Sequence, residues 1–363
     1  MSAAESIIRI ENVTKTFGSF TAIKDVSLDV SKGSFTTLLG PSGCGKTTLM
    51  RLIAGFHEPD GGTIVIEGKK VNGIPAYKRN TPLVFQEYAL FPHMTVYENI
   101  SYGLKLKKLS RKEMKDKVDV MLDMFGLQGM ENRFPKQLSG GQQQRVAFAR
   151  ALITGQNILL MDEPLSNLDA KMRVEVRSEL RELQQRTGIT AIFVTHDQDE
   201  ALSLSDRIAV FDKGHICQVG TPWEVYFKPQ TAFVADFVGV ANFIKGQVVG
   251  IENQDIIVRS TDGPIRVNKG DYNVDMGQEV TLVIRPECIS IIENTNTDAR
   301  SENVFIGTIV QSSFLGRMIR YWVQAGSLKW IVDDTSPSVR GTLQGTIKIA
   351  LDKNKIHILP KES

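Results

Sequence analysis

One short run constrains this chain more than any other: Leu38-Leu39-Gly40-Pro41-Ser42-Gly43-Cys44-Gly45-Lys46-Thr47-Thr48. It fits G-x-x-x-x-G-K-[ST], with an apolar run before it and a helical pattern after it. The glycines let the backbone turn tightly, so that its N–H groups point into one concave nest. Such a nest at a helix N-terminus attracts phosphate oxygens. Lys46 is placed to reach the β- and γ-phosphates of a nucleotide. The Thr47 hydroxyl is placed to sit on Mg²⁺, a hard ion that prefers oxygen. A glycine-rich turn without a ligand is the competing reading, and the strand–loop–helix context weighs against it.

The surroundings of this loop predict an α/β fold. Short apolar runs read as strands at Ile7–Ile10, Phe35–Leu39, Thr63–Ile66, Leu83–Phe85, Ile158–Met161, Ala191–Val194 and Arg207–Phe211. Helical patterns lie between many of them, at Thr47–Ala54, Arg111–Phe125, Gly140–Leu152 and Lys171–Arg186. The alternation predicts a largely parallel sheet covered on both faces, the core of a RecA-like P-loop nucleotidase. The stretch 88–152 is mostly helical in pattern and reads as an insertion into that core. After Phe243 the pattern changes to short β-type runs punctuated by turn residues such as Asp262-Gly263-Pro264, Asp271 and Gly316. That predicts a small all-β domain, a barrel of the OB type or a sandwich. The expected domains are residues 1–238 and 243–363, joined near Asp236–Asn242.

A second motif supports the first. Ile158-Leu159-Leu160-Met161 ends in Asp162 and Glu163. Successive strand residues point to opposite sides, so the two carboxylates should do different work. Asp162 is the candidate Mg²⁺ holder. Glu163 is the candidate to orient and polarise an attacking water. A third motif, Leu138-Ser139-Gly140-Gly141-Gln142, opens a helical pattern, where small residues free the backbone amides for a second anion site. A plain helix cap at Ser139 is the alternative, and the two are compatible.

With these residues in view, the chain resembles the ABC (ATP-binding cassette) family, whose signature appears as Leu-Ser-Gly-Gly-Gln at 138–142. Gln86 matches the family's Q-loop, Leu165-Ser166-Asn167-Leu168-Asp169 its D-loop, His196 its switch histidine, and Phe17 the aromatic that stacks on adenine. The resemblance implies ATP and Mg²⁺ as ligands and two copies facing head to tail. Each ATP then touches residues 40–48 of one copy and Ser139, Gly140, Gly141 and Gln142 of the other, with Asp169 also at the nucleotide. ATP favours the closed pair by binding it better than the open one. Glu163 acts as hydrolytic base, His196 contacts the γ-phosphate, and Gln86 senses the γ-phosphate or the metal. The helical insertion docks a membrane subunit through the apolar, aromatic segment Tyr88–Glu98, although a buried core segment is the competing reading there. Residues 243–363, with Ile284-Arg285-Pro286-Glu287 and Phe314-Leu315-Gly316, resemble the β-barrel extension of importer subunits. These lie in the iron, polyamine, sulfate and phosphonate group.

Composition excludes rivals. The 363 residues hold 43 basic and 41 acidic side chains, so no charge surplus marks a nucleic-acid partner. Three cysteines, Cys44, Cys217 and Cys288, are too few and too scattered for a disulfide framework. No signal peptide and no spanning stretch of roughly 18–20 apolar residues is visible. Transport would therefore need two separate permease subunits, with a solute-binding protein acting indirectly. The chain is expected as a homodimer, peripheral to the cytoplasmic face of the inner membrane. An ATPase acting on nucleic acid or ribosomes lacks support in the charge pattern, and the C-terminal extension argues against an exporter motor.

Overall fold

The protein is described by a computed structural model covering residues 5–107, 109–292, 302–336 and 341–359. The chain forms two compact units, Met1–Pro222 and Trp223–Ser363.

The first unit opens with β1 (Ser6–Phe17) and β2 (Phe20–Ser31), joined by the two-residue turn Gly18–Ser19. A turn that short returns the chain antiparallel, and Gly18 adopts the left-handed conformation it needs (φ 59°). β3 (Phe35–Leu39) delivers the phosphate loop to α1 (Lys46–Ala54). β4 (Gly61–Ile66), β5 (Lys69–Lys70) and β6 (Leu83–Val84) follow. The helical insertion holds α2 (Val96–Ser101), α3 (Arg111–Met124) and α4 (Gly140–Leu152). Each of these helices starts on a capping box, at Thr95, Ser110 and Ser139. The core resumes with β7 (Ile158–Asp162), α5 (Ala170–Thr187), β8 (Thr190–Thr195), α6 (Gln198–Leu204), β9 (Arg207–Asp212) and β10 (His215–Gly220).

The unit contains two sheets. The larger runs β10-β9-β3-β8-β7-β6 and is parallel except for its β9–β10 edge. The smaller runs β2-β1-β4-β5 and is antiparallel. The runs at Ile7–Ile10 and Thr63–Ile66, expected in the parallel sheet, belong to the smaller one. The β1–β2 hairpin is the reason, and β4 extends it through pairs such as Ile8–Ile66.

Period-two alternation divides the parallel sheet's side chains between two cores. Ile158, Leu160, Ile192 and Val194 pack with α1 and the antiparallel sheet. Leu159, Met161, Ala191 and Phe193 pack with the helices, beside Val146, Phe148 and Leu180. Strands buried on both faces must be apolar throughout, which accounts for the unbroken run at Ile158–Met161.

The second unit begins within α7 (Pro222–Phe227) and continues through α8 (Ala232–Val238). Among the described residues ten strands follow, in two five-stranded antiparallel sheets around one core. The first holds β11 (Asn242–Glu252), β12 (Asp255–Ser260), β13 (Gly263–Asn268), β14 (Glu279–Ile284) and, far on in the chain, the closing strand Ile356–Ile358. The second holds β15 (Ile289–Ile292), β16 (Val304–Phe314), β17 (Ile319–Ala325), β18 (Leu328–Asp334) and β19 (Thr346–Leu351). Gly263 and Pro264 start β13, and the turn itself is Thr261–Asp262.

The joint expected at 236–242 falls earlier, and α8 belongs with the β unit. Arg285, only 2% exposed, explains why. Its guanidinium donates to the carbonyls of Tyr226, Ala235, Gly239 and Val240 and lies 4.1 Å from the Tyr226 ring centroid.

Candidate active site

The phosphate loop folds as its glycines require. Gly43 and Gly45 take φ of 79° and 112°. At Gly45 a Cβ would stand 2.6 Å from the Ala22 carbonyl oxygen, and at Gly40 it would stand 2.5 Å from that of Phe211. No side chain caps α1, so its leading amides stay free for an anion. Lys46 is 4% exposed, and its ammonium donates to the carbonyls of Gly40 (2.7 Å) and Pro41 (2.8 Å). Those bonds curl the lysine over the nest. Ser42 is exposed at the rim, whereas Cys44 is buried 3.7 Å from Lys46 Nζ. Burial pushes the Cys44 thiol up from its ordinary range.

The two acidic residues diverge, though not by the strand alternation expected, because β7 ends at Asp162 and Glu163 lies beyond it. Thr47 Oγ1 donates to Asp162 Oδ1 at 2.9 Å, joining the end of β7 to the first turn of α1. Burial raises the Asp162 carboxyl above its usual value, with the Thr47 hydrogen bond acting against the rise. Glu163 stands outside the strand at φ 46°, a left-handed conformation that costs a non-glycine residue about 1–3 kcal/mol. Its amide donates to Val194 O (3.0 Å), and its carbonyl accepts from Ser166 Oγ (2.9 Å). Held that way, Glu163 Oε2 lies 3.2 Å from Nδ1 of His196, the first residue beyond β8. The carboxylate and the imidazole thus form one unit at the same sheet edge.

Gln86 lies two residues beyond Val84, as Glu163 lies two beyond Met161, and Val84 and Met161 are register partners. Gln86 therefore leaves the sheet level with Glu163, and it is exposed. Its carbonyl accepts from Asn167 Nδ2 at 3.0 Å. Phe17 is 43% exposed at the end of β1, with Lys15 Nζ 5.5 Å from its ring centroid and His57 edge-on at 5.3 Å. A planar base would find an open aromatic face there.

Ser139 and Gln142 bond to each other: Ser139 Oγ accepts from Gln142 N (3.3 Å), and Gln142 Oε1 accepts from Ser139 N (3.0 Å). Among the described residues, no hydrogen bond joins them to the loop at 40–48 within this one chain. Gly140 and Gly141 have a packing duty: a Cβ would come within 3.1 Å of Leu168 Cδ2 and 2.5 Å of Met172 Cε respectively. The signature thus lies directly against the D-loop. Asp169 caps α5, its Oδ1 accepting from Met172 N at 2.9 Å.

The docking segment is mixed in exposure. Tyr88 and Val96 are buried, Leu90, Phe91 and Met94 are half-buried, and Pro92 and His93 are exposed. Asn167 of the D-loop holds the Gln86 carbonyl, and Arg150, which sequence reasoning does not single out, grips those of Tyr88 and Ala89. A lone arginine in a helix carries no local signal for that task.

A nest with a buried lysine, a threonine–aspartate pair and a glutamate–histidine pair on one sheet edge define a P-loop nucleotide hydrolase. Residues 23–166 match the ABC transporter family, and residues 282–359 match the TOBE domain. The chain is 43% identical over 361 residues to the spermidine/putrescine import ATP-binding protein PotA of Clostridium novyi, covering 99% of each. It is 44% identical over 352 residues to the Fe(3+) ions import ATP-binding protein FbpC of Brucella abortus, covering 97% of each. Among solved structures, it is similar to the dimeric ATP-binding cassette MJ0796 (TM-score 0.53, 34% identity), over 59% of this chain and 98% of that one. The chain belongs to the ABC transporter family, as an ATPase subunit of the import type.

Proposed function

We propose that the chain powers import of a small cationic solute, working as a homodimer on two permease subunits at the cytoplasmic face of the inner membrane. Full-length similarity to import subunits, barrel included, carries this reading. Relatives named for polyamines and for ferric iron stand at nearly equal identity, and both cargoes are cations. The motor does not touch the solute, so its residues need not encode which cation is carried. No helix among the described residues is long and apolar enough to cross a membrane.

In this reading adenine stacks on Phe17. The 40–48 loop cradles the phosphates, and Ser139–Gln142 of the second copy close on the same ATP. MJ0796 offers a parallel, having been solved as a dimer and also in a post-hydrolysis state with ADP and Pi. Glu163 takes a proton from the attacking water as its oxygen bonds the γ-phosphorus and the bond to ADP breaks. His196 stabilises the charge that develops on the γ-phosphoryl oxygens. Thr47 and Asp162 would hold Mg²⁺, with Gln86 completing the set. A hydroxyl paired with a buried carboxylate suits a hard cation. Bound there, the ion neutralises charge on the β- and γ-phosphate oxygens.

Affinity capture of the tagged chain from gently solubilised membranes tests the transport reading. A multi-spanning permease should co-purify. Recovery of soluble or nucleic-acid partners alone would overturn transport while leaving the ATPase intact.

A further inference from the structure

The backbone just after Gln86 is strained. Tyr88 and Ala89 both sit in the left-handed region, at φ 57° and 46°, and neither is glycine. Residues with a Cβ stay there only when their surroundings over-determine the conformation. The Tyr88 hydroxyl adds a second cost, being buried without a hydrogen-bond partner among the described residues.

Arg150, in the last turn of α4, supplies the hold. Its Nη2 donates to Tyr88 O at 2.9 Å and its Nη1 to Ala89 O at 2.8 Å. Its guanidinium carbon lies 5.4 Å from the Phe91 ring centroid. A planar fork is the side chain that serves two adjacent carbonyls at once, which a lysine ammonium does less well. On the other side, Asn167 of the D-loop holds Gln86 O. The turn is thus gripped from two elements.

The opposite end of α4 carries Ser139, Gly140, Gly141 and Gln142. A helix is a stiff rod, so a shift of its N-terminus moves its last turn as well. We infer that Arg150 is a positioning residue for Gln86: it holds the strained Tyr88–Ala89 turn from the far end of the signature helix, and so ties Gln86 to that helix. This rests on the role given to Gln86 above. Release of the grip lets Tyr88 and Ala89 relax and carries Gln86 away from its place level with Glu163.

The test is steady-state Mg-ATP hydrolysis by the purified full chain. Arg150→Lys should lower kcat about threefold to tenfold and leave KM for ATP within about twofold, because the phosphate nest is untouched. Arg150→Ala should lower kcat further. If Arg150 acts through Gln86, then Gln86→Ala with Arg150→Ala should be no slower than Gln86→Ala alone. Ala89→Gly removes the steric objection to positive φ, and it should restore part of the Arg150→Lys loss. Thermal unfolding of Arg150→Lys should stay within a few degrees of the parent, which separates positioning from folding. Wild-type kcat in Arg150→Lys, or losses that simply multiply in the double variant, would overturn the inference. A Gln86→Ala chain with unchanged kcat would instead remove the role of Gln86 on which it rests.

Discussion

The sheet edge around Glu163 in the first unit and the tie around Arg285 in the second are built differently. At the sheet edge of the first unit, Glu163, Tyr88 and Ala89 sit in strained backbone, and Asp162 is an acid raised by burial. In the second unit, three polar side chains each make several bonds. Arg285 serves four carbonyls, and Asn242 bonds Ile284 O and both main-chain groups of Ile331. Arg320 meets Asp333 through two bonds of 2.7 Å. Positive φ also occurs in the second unit, at Asn253 and Asn303, but asparagine tolerates it, whereas Glu163, Tyr88 and Ala89 need their surroundings to hold it.

The contrast can be broken by substitution. Glu163→Gln should have the largest effect. It removes the proton acceptor, and kcat should fall about 10²–10⁴-fold while ATP is still bound. Phosphate release and nucleotide binding, measured side by side, check this. Normal turnover would take Glu163 out of the base role.

Arg285→Met should strike the second unit alone. Several buried carbonyls lose their donor, at a cost of about 3 kcal/mol or more. All three tryptophans, Trp223, Trp322 and Trp330, lie in that unit, so denaturant unfolding followed by tryptophan emission reports on it selectively. An unmoved midpoint would mean that Arg285 is not the tie it looks to be.

Lys46→Ala returns to the first unit and should weaken ATP binding about 10–100-fold, the worth of one charge-assisted contact. Unchanged affinity, read by titration with a fluorescent nucleotide, would argue against the phosphate-loop role.

Acidification should then separate the units by sign. His357 is half-buried between Tyr272 Oη (2.7 Å) and Pro229 O (2.8 Å), and desolvation lowers its pKa. The unfolded chain therefore takes up a proton that the folded one refuses. The contribution of His357 is full above its unfolded value of about 6.5 and is lost as pH falls through it. Asp162 is raised instead, so its burden on folding is relieved as pH falls through its folded value. His357→Gln should flatten the pH dependence of the tryptophan-monitored midpoint between about pH 7 and about pH 5. A slope that survives the substitution would assign it to other groups.

Trp330→Phe should have the smallest effect. The Trp330 side chain is fully buried, yet its indole N–H has no hydrogen-bond partner among the described residues. Losing an orphan donor offsets part of the lost packing, so the cost should stay below about 2 kcal/mol.

Much of the site was legible because its signals are local. The glycines of the 40–48 loop, the Asp162–Glu163 pair and the Ser139 cap each declare themselves within a few residues, and α4 begins and ends at the expected Gly140 and Leu152. β2 had a signal too: Val26, Leu28 and Val30 alternate as buried positions. Its loss from the predicted strands hid the antiparallel sheet. In the second unit the sequence marks β-type runs at 244–249, 256–259, 280–285, 304–312, 318–324 and 346–350, and the structure adds β13, β15, β18 and the strand Ile356–Ile358 to them.

The sequence by itself marked the glycine-rich loop, the adjacent carboxylates Asp162 and Glu163, and the division into an α/β and an all-β part. Those follow from dihedral preference, side-chain period and charge, which act over neighbouring residues. Only the tertiary structure decided that His196 meets Glu163, that Arg285 draws α8 into the second unit, and that Arg150 reaches back to Tyr88 and Ala89. Each joins residues 33 or more positions apart in the chain. Such pairings depend on how sheets and helices stack, and no local pattern encodes them.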